Sequence, residues 1–184
     1  RMMKEVDVIA APGTDVKETL AYRIAVQAVP EIEQKEMLPI DMPMTMDKEL
    51  LLKAHKSGAE TIEKVLAEGK SVGFITLGDT TVYSTFSYLE KIVKEHGFET
   101  VYISGITSFC AAAASLGIPL TEWQEPLHVI PAVHQLDDKL ALDGSYVLMK
   151  SGRQMPKVKE ILKASGRKVN MVENCGLPNE NKYY

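Results

Sequence analysis

Short apolar runs of strand character alternate with helix-patterned segments from Val6 to Val172, and this alternation restricts the fold more than any other feature of the sequence. Val6-Asp7-Val8-Ile9-Ala10 reads as a short buried strand ended by Pro12-Gly13. Thr14 or Asp15 can cap a helix carrying Leu20, Ile24 and Ala28, which Pro30 stops. Met37-Leu38-Pro39-Ile40 has the residues of a strand, and its proline suits a sheet edge, where a ladder donor can be missing. Asp47 then caps a long helix that turns Leu51, His55, Gly58, Ile62 and Val65 to one side and ends at Gly69.

Ser71-Val72-Gly73-Phe74-Ile75-Thr76-Leu77 is the clearest buried strand, and it runs into Gly78-Asp79-Thr80-Thr81. A helix is expected from Val82 to His96, closed by Gly97, and a further strand at Thr100-Val101-Tyr102-Ile103. The helix expected from Thr107 to Leu116 is apolar all round, which predicts burial, and Gly117 with Pro119 stops it. Beyond Thr121 the pattern resumes with strands at 127–130, 146–149 and 169–172. A weaker helix passes through Leu136 and Leu140, and another carries Pro156 in its first turn, where proline is tolerated. The expectation is an α/β fold with largely parallel sheets. The polar turn between Ile118 and Glu125, framed by Pro119 and Pro126, divides it into an N-terminal domain, 1–119, and a C-terminal domain, 120–184.

Composition removes several classes of function. A formal net charge of -4 argues against nucleic acid as partner, because phosphate binding needs a basic face. No apolar run approaches the roughly 20 residues of a membrane span. Cys110 and Cys175 stand far apart, and none of the four histidines pairs with another at ligand spacing, so no metal site is expected. A reducing, cytoplasmic setting is the default expectation.

In open α/β sheets ligands bind at the carboxyl ends of the strands, and the small and polar clusters of this chain follow the strands. These are Gly78-Asp79, Ser104-Gly105-Ile106-Thr107-Ser108, Pro131-Ala132, Lys150-Ser151-Gly152-Arg153 and Asn174-Cys175-Gly176. The Gly-x-Gly-x-x-Gly, Walker lysine and Gly-x-Ser-x-Gly signatures are absent, so dehydrogenase, kinase and hydrolase readings lose their usual support. Pattern alone gives a small-molecule site.

Thr76-Leu77-Gly78-Asp79-Thr80-Thr81-Val82-Tyr83-Ser84-Thr85 resembles the Gly-Asp-Pro loop of the tetrapyrrole methylases, and its Tyr-Ser-Thr ending resembles the branch that methylates C20 of precorrin-2 or cobalt-factor II. Gly105 to Ala114, with Leu116-Gly117-Ile118-Pro119-Leu120, is similar to a second block of that branch. Val129-Ile130-Pro131-Ala132, then Val147 to Lys150 with Gly152-Arg153, and finally Glu173-Asn174-Cys175-Gly176 resemble the later blocks in order. Two positions depart from the pattern: Thr80 and Ser104 stand where the family has proline. The family's first glycine-rich loop, before Val6, and its closing strands, after Tyr184, have no counterpart here, so a longer native chain is expected.

The resemblance implies two α/β domains with S-adenosylmethionine bound in a cleft between them, and methyl transfer to a nucleophilic ring carbon. Positioning the two reactants accounts for much of the acceleration of such a displacement, so no general base is assigned. Carried over residue by residue, the cofactor contacts are Leu77, Gly78, Asp79, Val82, Tyr83 and Ser84 from the first loop, Thr107 and Ser108 from the second, and Ala132 and Met149 from the C-terminal domain. Lys150 and Arg153 are the cations expected to meet the substrate's carboxylates, with Arg23, His128 and His134 behind them. Each also has a structural use: Asp79, Thr107 and Ser108 as helix caps, Gly78 and Gly105 as turn residues, Met149 as core. A homodimer is implied by the resemblance. Two other readings stay open: a methylase of the same fold acting on another ring position, a protein or RNA, and a non-catalytic α/β ligand-binding domain.

Overall fold

The computed structural model describes residues 2–132, 136 and 140–184, apart from the side chain of Arg153. The chain forms two compact units, Arg1–Gly105 and Ile106–Tyr184.

The first unit is built around β1 (Val8–Pro12), which lies between β2 (Glu36–Ile40) and β3 (Val72–Phe74) in a parallel sheet of order β2-β1-β3. Val8, Ile9, Ala10 and Ala11 are all fully buried, as a central parallel strand covered on both faces requires. Side chains of successive residues point to opposite faces, and two cores follow from that. Ile9 and Ala11 pack with Val16, Tyr22, Val29 and Ile32, which brings in α2 (Leu20–Ala28) and the 3-10 turn Pro30–Gln34. Ala10 packs with Ile40, Ala59, Ile62, Leu89 and Val93, the inward residues of β2, α3 (Lys48–Ala67) and α4 (Phe86–Glu95). A four-residue helix, α1 (Met2–Glu5), precedes the sheet.

Local chemistry sets these boundaries. Asp47 caps α3 by accepting hydrogen bonds from the backbone N–H groups of Glu49 and Leu50. His55, Gly58, Ile62 and Val65 are buried as the spacing predicts; Ala59 joins them, and Leu51 is only half-buried. Gly58 permits close approach: a Cβ there meets Ile40 Cγ2 at 2.8 Å and Leu89 Cδ2 at 3.0 Å. Pro39 lies on β2, an edge strand, as expected.

The second unit contains a parallel pair, β4 (Leu127–Pro131) and β5 (Ser145–Met149), with α6 (Met155–Ser165) packed on it through Val158. Separately, an antiparallel hairpin of β6 (Met171–Glu173) and β7 (Asn181–Tyr183) lies against α5 (Ser108–Leu116). Trp123 stands in a turn with φ 51° and its side chain fully in solvent.

Several expectations need correction. The strand expected at 100–103 is not formed: Val101 and Ile103 are exposed, and the segment is held by side chains instead. Thr100 Oγ1 and Tyr102 Oη donate to Glu90 at 2.7 and 3.3 Å, and Tyr102 stacks edge-on against Phe86. Strand-forming residues need a neighbour to complete a ladder, and among the described residues none pairs with this segment. The helix expected from Val82 begins at Phe86, because 79–84 is a structured loop. Burial of α5 is also overturned: Ala113 is its one buried residue and Cys110 is exposed. The hairpin strand β7 had no clear sequence signal, since Asn181-Lys182-Tyr183 is exposed throughout. Most of the helix expected through Leu136 and Leu140 lies outside the described residues.

Leu89 is wholly buried among Ala10, Ile40, Ala59 and Ile62. Leu89→Ala is expected to lower the unfolding free energy by about 2–5 kcal/mol, measured by urea titration with far-ultraviolet circular dichroism. The exposed neighbour Lys91→Ala is expected to change it by less than about 0.5 kcal/mol.

Candidate functional site

The parallel register brings the carboxyl ends of β1, β2 and β3 to one edge of the first unit. Gly13 N donates to Ile40 O at 2.8 Å, and Ile75 N donates to Ala10 O at 2.8 Å, so the ladders continue to that edge. The loop that leaves β3 there contains six of the candidate residues. Gly78 has φ 75°, a left-handed conformation that glycine adopts without penalty. Leu77 beside it is exposed.

Asp79 is buried, and both of its carboxylate oxygens are fully engaged. Oδ1 accepts from Thr81 N at 2.7 Å and Thr81 Oγ1 at 2.5 Å. Oδ2 accepts from Ser104 Oγ at 2.7 Å and Gly105 N at 3.0 Å. The Thr81 hydroxyl foremost, then the Ser104 hydroxyl and the Thr81 and Gly105 amides, hold this carboxyl well below the usual carboxylate range against the opposing effect of desolvation. Thr80 Oγ1 donates to Ile103 O at 2.9 Å. Gly105 is pressed so close that a Cβ there falls 2.3 Å from Gly78 O. The rest of the loop is ordered by short-range bonds. Val82 N donates to Asp79 O at 3.3 Å, and Ser84 Oγ accepts from Phe86 N at 3.2 Å at the start of α4. Tyr83 is exposed with φ 50°.

In the second unit Thr107 is the N-cap of α5, its Oγ1 accepting from Cys110 N at 3.4 Å, and the exposed Ser108 opens the helix. Ala132 and Met149 are neighbours at the carboxyl ends of β4 and β5, where Ala132 N donates to Met149 O at 2.8 Å. Ala132 is buried and Met149 half-buried. Lys150 follows directly, exposed, with φ 59°. Arg153 lies in the 3-10 turn Gly152–Gln154. The weaker cation candidates have local partners of their own. Arg23 pairs with Glu18 at 2.6 Å, and His128 sits near the start of β4 with Nε2 2.9 Å from Asp143 O and its ring stacked on Tyr146. His134 lies outside the described residues.

The residue reading missed Ser104 as a partner of Asp79, and a second cluster around Glu180. Glu180 accepts from Ser115 Oγ and from Gly176 N, each at 2.6 Å, and pairs with Lys182 at 3.4 Å. The Gly176 amide first, then the Ser115 hydroxyl, hold its carboxyl at about 2. This carboxylate fixes the Asn174-Cys175-Gly176 turn to α5. Burial first, then the neighbouring Glu180, pushes the Cys175 thiol up.

Parallel strands that present glycine-containing loops at their carboxyl ends occur once in each unit of this α/β protein, the arrangement at which open α/β sheets ordinarily meet small molecules. Residues 1–183 match the family model described as Tetrapyrrole (Corrin/Porphyrin) Methylases, and the chain belongs to that family. It is 34% identical over 180 residues to the probable cobalt-precorrin-2 C(20)-methyltransferase of Methanocaldococcus jannaschii, covering 97% of this chain and 76% of that one. A second relative, the precorrin-2 C(20)-methyltransferase of Sinorhizobium sp, is 30% identical over 141 residues, covering 71% and 57% respectively. The fold is similar to the crystal structure of uroporphyrin-III C-methyltransferase from Thermus thermophilus complexed with S-adenosylhomocysteine. The TM-score there is 0.61 at 19% identity, over 100% of this chain and 73% of that one. The chain is therefore a methyltransferase.

Because the folded pKa of Glu180 is depressed from 4.5 to about 2, its stabilising effect is complete above about pH 4.5 and is lost as the pH falls toward 2. Glu180→Gln is expected to lower the melting temperature at neutral pH. The gap between wild type and variant should close steadily between about pH 5 and pH 2.5 in thermal melts followed by circular dichroism. A gap that stays constant with pH contradicts the assignment.

Proposed function

We propose that this protein transfers a methyl group from S-adenosylmethionine to C20 of precorrin-2 or of its cobalt-bearing form, in corrin biosynthesis. The observation that carries the reading is the 34% identity to the archaeal relative across 97% of the chain, which includes every motif block. The relatives are named for both forms of the substrate, so the metal question is left to the experiment.

The loop geometry supports this reading. Gly78, in a left-handed conformation, removes side-chain bulk beside the exposed apolar Leu77, and Gly105 lies flush against the same loop. S-adenosylmethionine, when bound, supplies an electrophilic methyl group on a positively charged sulfur. In this reading Leu77, Gly78, Asp79, Val82, Tyr83 and Ser84 shape the first part of its site. Thr107 and Ser108 contribute from the start of α5, and Ala132 and Met149 from the strand ends of the second unit. Asp79 serves by holding the loop, since its oxygens are already engaged. Lys150 and Arg153 hold the substrate's carboxylates, arginine through its paired donors. The substrate carbon is itself nucleophilic, so the side chains orient the reactants and keep them at reacting distance. We assign the enzyme to the cytoplasm, acting as a homodimer, with no nucleic-acid or membrane partner.

The full-length protein, incubated with S-adenosylmethionine and either precorrin-2 or cobalt-factor II, is expected to add one methyl group to one of them, seen by mass spectrometry and placed at C20 by isotope labelling. Cofactor binding without methylation of either pigment favours another methylase of this fold, and absence of cofactor binding favours a non-catalytic domain. Lys150→Ala and Arg153→Ala are each expected to raise KM for the pigment by roughly fivefold or more while leaving KM for S-adenosylmethionine nearly unchanged.

A further inference from the structure

We propose that the hydroxyls of Thr80 and Ser104 form a reciprocal latch that positions the Gly78-Asp79 loop for the cofactor, so that both are positioning residues for methyl transfer. The inference rests on the reading of that loop as a cofactor site.

The bonds cross between two segments in opposite directions. Thr80, on the loop after β3, reaches the backbone of the other segment by donating to Ile103 O at 2.9 Å. Ser104, on that segment, reaches back by donating to Asp79 Oδ2 at 2.7 Å, and the next amide, Gly105 N, donates to the same oxygen at 3.0 Å. A parallel sheet ordinarily aligns adjacent strand ends through its backbone ladder. That means is missing here, because 100–104 forms no strand and its apolar residues Val101 and Ile103 are exposed. At the other end of the segment, Thr100 and Tyr102 hold it to α4 through Glu90. Near Gly105, the hydroxyl pair does the aligning.

Contact at the backbone makes this alignment matter for the loop itself. With Gly105 close enough to Gly78 O to exclude a Cβ, any shift of 103–105 moves Gly78. Thr81 holds Asp79 through Oδ1, so Oδ2 is the oxygen that meets the Ser104 segment. Removing the Ser104 hydroxyl leaves a buried carboxylate oxygen with one donor fewer, a loss that falls on loop geometry more than on the hydrophobic cores, which lie elsewhere in the unit.

The test uses the full-length protein with Ser104→Ala, Thr80→Val and the conservative variant Ser104→Thr. Three quantities are read: affinity for S-adenosylhomocysteine by calorimetry, separate KM values for S-adenosylmethionine and pigment, and the melting temperature. Ser104→Ala and Thr80→Val are each expected to weaken S-adenosylhomocysteine binding roughly tenfold and to raise KM for S-adenosylmethionine with little change in KM for the pigment. Ser104→Thr is expected to restore both. The double variant Ser104→Ala/Thr80→Val is expected to lose less than the product of the two single losses, because the bonds act as one unit. Affinity within about twofold of wild type in both single variants, whatever their melting temperatures, overturns the latch while leaving the proposed function standing. Wild-type protein that binds no S-adenosylhomocysteine overturns the cofactor reading and the latch together. If Ser104→Ala does not fold, Thr80→Val decides the matter alone.

Discussion

Burial of β1 on both faces is the constraint from which the first unit follows. A strand with no water on either side must pair its N–H and C=O groups along both edges, which here means β2 on one side and β3 on the other. Parallel pairing then sends the chain back before the next strand can form; α2 with the 3-10 turn is the return to β2 and α3 the return to β3, while α4 follows β3 and packs beside α3. It also brings the loops at Gly13, Asp41 and Gly78 to a common edge, so the place where a ligand can be met is decided before any functional residue is chosen.

At that edge polar chemistry takes over. The Asp79 carboxylate gathers four donors and stays ionised, which makes the loop after β3 a defined structure and delays the start of α4 to Phe86. In the second unit Glu180 does comparable work for the turn containing Cys175, joining it to the hydroxyl of Ser115. In both places a single acidic side chain ties a glycine-containing turn to a neighbouring segment. The two positions at which the sequence departs from the family pattern, Thr80 and Ser104, are the two whose hydroxyls cross between the segments.

The parts of the fold legible in the sequence are those in which local pattern and burial agree. Most of the α3 stripe and the edge proline at Pro39 follow from spacing and apolarity alone, as does the first buried strand, expected at 6–10 and formed two residues later at Val8–Pro12. Where a residue's fate depends on a distant partner, the pattern misleads. Val101-Tyr102-Ile103 has strand residues without a strand to pair with, and the alanine-rich helix is half-buried over most of its apolar surface rather than enclosed. Of the candidate site, the glycine and aspartate positions were visible as clusters after strands. The donors that complete Asp79 were not visible, because Ser104 lies 25 residues away and a serine before a glycine looks like any turn.

Trp123 brings a spectroscopic consequence. It is the one tryptophan in the chain, and it stands fully in solvent on a turn rather than in a core. Its indole meets water in the folded molecule as it does in an unfolded chain, so its emission colour changes little when β1 and its helices come apart. The aromatic group that exchanges a dry environment for a wet one is Tyr22, buried beside Ile9 and Ile32. To an observer watching tryptophan fluorescence alone, the melting of this protein's central sheet is nearly colourless.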